Sequence, residues 1–91
     1  MKISLQNKKA LIGGSSKGLG FAVAEQLALS GAQVTIVSSN ERLLKERVLA
    51  LNKKTALKHN FLVCDYNDHE SYAKKISEYF DVNTIDILVN N

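Results

Sequence analysis

Lys9-Ala10-Leu11-Ile12-Gly13-Gly14-Ser15-Ser16-Lys17-Gly18-Leu19-Gly20 is the stretch on which the reading of this 91-residue chain turns. The apolar run Ala10-Leu11-Ile12 is short enough for a buried strand, and the glycines and serines after it spell a tight turn. From Phe21 to Leu29 good helix formers follow without a proline. Strand, glycine turn and helix in that order gather free backbone N–H groups and the positive end of a helix dipole at one spot, which suits a phosphate. In the spacing Gly14-x-x-x-Gly18-x-Gly20, Gly14 serves the turn, Gly18 lets a pyrophosphate approach the backbone, and Gly20 lets the helix lie close to its strand.

Working outward, the chain alternates. Ile3 and Leu5 read as a lead-in packed beneath a first strand over about 8–13, and the helix over about 19–30 stops at Gly31. Gln33–Ser38 is β-branched and apolar, a second buried strand. Ser39 or Asn40 caps a helix with Leu44, Val48 and Leu51 on one face. His59–Cys64 is a third strand ending at Asp65. Asn67 and Glu70 form a capping box for a helix facing inward through Ala73, Ile76 and Phe80, and Ile85–Val89 is the fourth strand. This alternation predicts an α/β fold: half of a doubly wound parallel sheet, strand order 3-2-1-4, helices on both faces and ligand at the carboxyl ends of the strands. Neither a linker nor a repeat marks a second domain.

Composition narrows the function. With 45% hydrophobic and 23% charged residues the chain is an ordinary globular one, and no apolar run reaches the roughly 20 residues of a membrane span. The N-terminus lacks a signal-peptide core, and the lone Cys64 allows no internal disulfide, so a cytoplasmic location is expected. Residues 1–60 carry ten Lys/Arg against three Glu, and residues 61–91 two Lys against six Asp/Glu. The cations alternate with leucines at helical spacing and have no aromatic partners, so a solvated helix face is expected rather than nucleic-acid binding. His59 and His69 lack ligand-spaced partners, which argues against a metal, and Cys64 in its apolar strand fills core space.

Three motifs together resemble the short-chain dehydrogenases/reductases over the whole chain: the glycine turn, Asp65 at the end of the third strand, and Asn90-Asn91 at the end of the fourth. The resemblance implies an NAD(P)-binding Rossmann-type domain. Asp65 would bond the adenine amino group, and Asn90-Asn91 would open the family's Asn-Asn-Ala-Gly motif. One departure stands inside the turn, where Gly13 replaces the family's usual Thr. The implied cofactor set is Gly14, Ser15, Ser16, Lys17, Gly18, Leu19, Gly20, Ser38, Ser39, Asp65, Tyr66 and Asn90.

Cofactor choice rests on the end of the second strand. An acidic residue there selects a ribose 2′-OH, whereas cations and hydroxyls suit a 2′-phosphate. Val37-Ser38-Ser39-Asn40 holds no Asp or Glu, and Lys17 adds a cation, so NADP(H) is expected over NAD(H).

The family's chemistry moves a hydride between nicotinamide and a carbonyl or alcohol, using a Ser and a Tyr-x-x-x-Lys pair. Four residues after Tyr66, Tyr72 and Tyr79 stand Glu70, Ile76 and Asn83, so none forms that motif, and Tyr72 and Lys75 read as surface neighbours. The expectation is therefore a cofactor-binding N-terminal part, truncated before the catalytic half, with no catalytic residue of its own. The alternative is a non-catalytic nucleotide-binding or self-associating protein. A fourth strand open on one side predicts a homo-oligomer paired through residues 85–90. Substrate is not legible, although the turn and helix resemble the ketoacyl reductase and sugar dehydrogenase branches most.

Overall fold

The computed structural model describes residues 4–14, 18–64, 67–82 and 84–89. Four strands, β1 (Lys9–Gly13), β2 (Gln33–Ser38), β3 (Asn60–Val63) and β4 (Ile87–Val89), alternate with helices α1 (Gly18–Leu29), α2 (Glu41–Lys54) and α3 (His69–Val82). All strand pairs are parallel and the order is β3-β2-β1-β4. The α/β half-sheet expected from the alternation is the fold observed.

The sheet is buried through period-two alternation, which sends successive side chains to opposite faces. Ala10, Ile12, Val34 and Ile36 face Ala24 and Ala28 of α1 and Leu44, Val48 and Leu51 of α2 in one continuous cluster. On the opposite face Leu11, Val37 and Cys64 meet Tyr72, Ile76 and Tyr79 of α3. Burying each large aliphatic side chain contributes about 1.5–3 kcal/mol. Two polar ties join α1 to α2: Lys54 Nζ meets Glu25 Oε2 at 2.6 Å, and the Arg47 guanidinium lies 4.7 Å from the centre of the Phe21 ring.

Local chemistry sets the ends of the helices. At the end of α1, the Ala32 N–H donates to the Leu27 carbonyl (3.1 Å) and the Gly31 N–H to that of Ala28 (3.1 Å). This double closure needs a left-handed residue, and Gly31 supplies it with φ 107°. Leu5 packs on the first core and its N–H donates to the Ser30 carbonyl at 2.7 Å. Ile3 lies outside the described residues. Asn40 caps α2, its Oδ1 accepting from the Leu43 N–H at 3.1 Å.

At α3 the sequence expectation needs correcting twice. Asp68, not Asn67, caps the helix: its Oδ1 accepts from the Ser71 N–H at 3.1 Å and its carbonyl from the Tyr72 N–H at 2.9 Å. A cap one residue later puts Glu70 one place short of the reciprocal position, so no capping box closes through it. The inward face also rotates. Ala73 is exposed, while Tyr72, Ile76 and Tyr79 pack inward at helical spacing; the Phe80 side chain lies outside the described set. Tyr72 is therefore half-buried and not on the surface, while the exposed Lys75 sends its Nζ to the Val63 carbonyl at 2.8 Å.

Candidate functional site

Register brings the strand ends level. Gly13 of β1 pairs with Val37 of β2, Val37 with Leu62 of β3, and Ile12 of β1 with Val89 of β4. The carboxyl ends of all four strands therefore finish in one row, where an open parallel sheet offers a crevice to a ligand. Gly14 follows β1 in a left-handed conformation (φ 65°), and α1 begins at Gly18.

Gly18 is the most informative residue of that crevice. Its φ of 57° disfavours any side chain, by about 1–2 kcal/mol for an L-residue. A Cβ built there would meet nothing within 4 Å. Among the described residues no neighbouring atom accounts for the missing side chain, so there is open space beside the backbone at the start of α1. The first turn of α1 carries no acidic residue, so its free N–H groups and dipole face that space without a competing carboxylate. Gly20 is buried, and with Ala24 and Ala28 it makes a small-residue row that lets α1 lie close on the sheet. Beside them Leu19 is 73% exposed.

At the end of β2, Ser38 is buried and Ser39 exposed. The Ser38 carbonyl accepts from the Cys64 N–H at 2.9 Å, which ties β2 to β3 beyond their last paired residues. Ser38 Oγ accepts from the Asn40 N–H at 3.4 Å, leaning the hydroxyl toward the cap of α2. Cys64 is fully buried, and burial pushes its thiol above the ordinary value against a smaller opposing pull from the Lys75 ammonium. Such a thiol is a poor nucleophile. In the sequence Lys75 reads only as a residue of the helix surface; its bond to the Val63 carbonyl joins residues twelve apart, so only the packed α3 reveals it.

Of the expected set, the structure gathers Gly14, Gly18, Leu19, Gly20, Ser38 and Ser39 around the strand ends. Ser15, Ser16, Lys17, Asp65, Tyr66 and Asn90 lie outside the described residues. An apolar cavity of about 170 Å³ lies on the α3 face, lined by Leu11, Gly13, Val37, Tyr72, Ile76, Leu88 and Val89. Among the described residues no group of three His, Cys, Asp or Glu could hold a metal ion, and no helix is long and apolar enough to cross a membrane.

Known proteins share this arrangement. The model of the family described as short chain dehydrogenase matches residues 8–91. The chain is 34% identical over 92 residues to 3-oxoacyl-[acyl-carrier-protein] reductase FabG of Chlamydia muridarum, covering 100% of this chain and 37% of the relative. It is 38% identical over 90 residues to a tropinone reductase homolog, At2g29150, of Arabidopsis thaliana, covering 97% and 33%. Among solved structures, L-sorbose reductase from Gluconobacter frateurii, complexed with NADPH and L-sorbose, superposes with a TM-score of 0.88 at 31% identity, covering 100% of this chain and 35% of that one. The chain thus spans about a third of the length of the relatives it matches.

Proposed function

This chain belongs to the short-chain dehydrogenase family, and we propose that its strand-end crevice binds a nicotinamide dinucleotide, NADP(H) in preference to NAD(H). In this reading the pyrophosphate lies over the turn from β1 to α1 and rests on the N–H groups at Gly18, Leu19 and Gly20. The observation that carries it is Gly18: a left-handed residue at a helix start, with open space where its Cβ would be. Ser15, Ser16 and Lys17 complete the cradle. Asp65 bonds the adenine amino group in this reading, and Tyr66 and Asn90 belong to the same cofactor-binding set.

The 2′-phosphate preference follows from charge. Ser38 and Ser39 offer hydroxyls where an acidic residue would repel a phosphate, and Lys17 adds a charge-assisted bond of about 1.5–3 kcal/mol. The sorbose reductase complex with NADPH supports the same choice. The bound cofactor supplies a hydride for transfer to or from a carbonyl or alcohol. The acid/base pair for that step, Tyr-x-x-x-Lys, does not occur within these 91 residues, so the chain holds cofactor but does not turn over alone. A buried free thiol at Cys64 fits a cytoplasmic setting.

Fluorescence titration of the purified chain with NADPH and NADH tests the reading. Saturable binding, tighter for NADPH, is expected. No saturation with either nucleotide, or tighter NADH, overturns it; so does NADPH oxidation with small ketones for the claim of no turnover.

A second reading rests on β4, which ends the sheet order and leaves Leu88 60% exposed. An edge strand with an apolar flank invites pairing. Two copies joined through residues 85–90 across a twofold axis would make one continuous sheet. Sedimentation equilibrium showing monomer alone at high concentration rejects this.

A further inference from the structure

His59 stands at the end of the sheet opposite the crevice, 2% exposed. Its backbone N–H donates to Asn52 Oδ1 at 2.8 Å, so the last turn of α2 holds the segment entering β3. Ring nitrogen Nδ1 lies 3.0 Å from the backbone nitrogen of Val34 in β2. A backbone N–H only donates, so Nδ1 is the acceptor and carries no proton. The neutral ring then has its proton on Nε2, which donates to Thr55 Oγ1 at 2.7 Å. Thr55 closes α2 through its own N–H to the Leu51 carbonyl, and its hydroxyl accepts from the Leu57 N–H at 3.3 Å. One imidazole thus joins the start of β2, the end of α2 and the entry to β3, and it can do so only while neutral.

We propose that His59 is a proton-operated latch: a proton taken from solvent at Nδ1 expels the Val34 N–H and loosens the α2–β3 connection, which then keeps the Gln33 Nε2 bond to the Lys58 carbonyl (2.9 Å) as its tie to the start of β2. Protonated Nδ1 would face that N–H donor to donor, with no lone pair left to accept it. Thr55, Ala56 and Leu57 also wall a cavity of about 550 Å³ with Gln6, Asn7 and Gly31, so release widens a groove at the amino end of the sheet.

Burial holds the ring's pKa below its ordinary value of 6.5. The elements around it bring mainly cations: Lys53 and Lys54 from α2, with Lys54 held by Glu25 of α1, Lys58 beside the ring in sequence, and Lys8 and Lys9 at the start of β1. The start of β2 contributes only the uncharged Gln33, Val34 and Thr35. Because the unfolded chain protonates near 6.5 and the folded chain only at lower pH, the latch's stabilisation is complete above 6.5. It drains as pH falls below that value, by at most tenfold per pH unit in the folded/unfolded ratio for one proton.

Hydrogen exchange and ring proton shifts, followed by NMR on the whole chain from about pH 7.5 to 4.5 in a His69→Gln background, test the latch. The ring should titrate below 6.5, and as it does the Val34 amide should lose protection, about tenfold per pH unit, ahead of Ile36 in the same strand. In His59→Asn, whose Oδ1 accepts from Val34 but takes no proton, Val34 protection should stay flat with pH. A ring titrating at or above 6.5, constant Val34 protection, or equal loss at Val34 and Ile36 overturns the proposal. If His59→Asn does not fold, the exchange data on the unsubstituted residue decide alone.

Discussion

Asp86 and Lys9 exchange two hydrogen bonds: the Lys9 N–H donates to Asp86 Oδ2 at 2.9 Å, and the Asp86 N–H donates to the Lys9 carbonyl at 2.8 Å. The pair sits one step before the first matched residues of β1 and β4, Ala10 and Ile87. It therefore sets the register of a strand only three residues long. A slip of one residue would turn Ile87 and Val89 away from the first core.

Asp86→Ala removes the side-chain half of this exchange. A loss of about 0.5–1.5 kcal/mol is expected, read as a lower urea midpoint with unchanged slope. Loss of β4 alone would show as lost exchange protection at Leu88 while Ile36 keeps its own.

Tyr79 and Thr35 make the corresponding tie on the α3 face, with their hydroxyl oxygens 2.6 Å apart and Thr35 only 4% exposed. Tyr79→Phe strips the buried Thr35 hydroxyl of this bond and should cost about 1–3 kcal/mol. Adding Thr35→Val to that variant should recover part of the loss, because an apolar pair of the same shape leaves no buried hydroxyl without its partner. A double-mutant cycle by urea unfolding measures it.

Gly18→Val separates fold from function. The added Cβ meets no atom of the described residues within 4 Å, so the expected cost is chiefly backbone strain, about 1–2 kcal/mol. NADPH affinity should fall more than about tenfold, since the side chain would occupy the space proposed for the pyrophosphate. An intact circular dichroism spectrum with unchanged NADPH titration would remove the phosphate from that turn.

Ser39→Asp tests the cofactor preference at an exposed position beyond β2. A carboxylate there accepts from a ribose 2′-OH and repels a 2′-phosphate. NADPH binding should weaken by about tenfold or more and NADH binding should improve. Parallel fluorescence titrations give the ratio.

Much of this was legible in the chain itself. Alternating apolar runs marked β1 and β2 to within a residue, and Gly31 and Asn40 announced the end of α1 and the start of α2, because turn and cap chemistry is local. The sequence misjudged α3, where Asn67 and Asp68 are adjacent candidate caps. Its inward face is Tyr72-Ile76-Tyr79, which keeps Ile76 but turns to the two tyrosines, because packing against Leu11, Val37 and Cys64, not the cap residue, decides which face is buried.

The sequence alone determined the order of strands and helices, and with it the doubly wound half-sheet and the glycine turn, since periodicity and backbone freedom are written residue by residue. Tertiary structure alone decided how those pieces lock: Lys75 on the Val63 carbonyl, Tyr79 on Thr35, and His59 between Val34 and Thr55. These contacts join residues far apart in the chain or fix the tautomer of a buried ring, and only the packing of helix on sheet brings their atoms within hydrogen-bond distance.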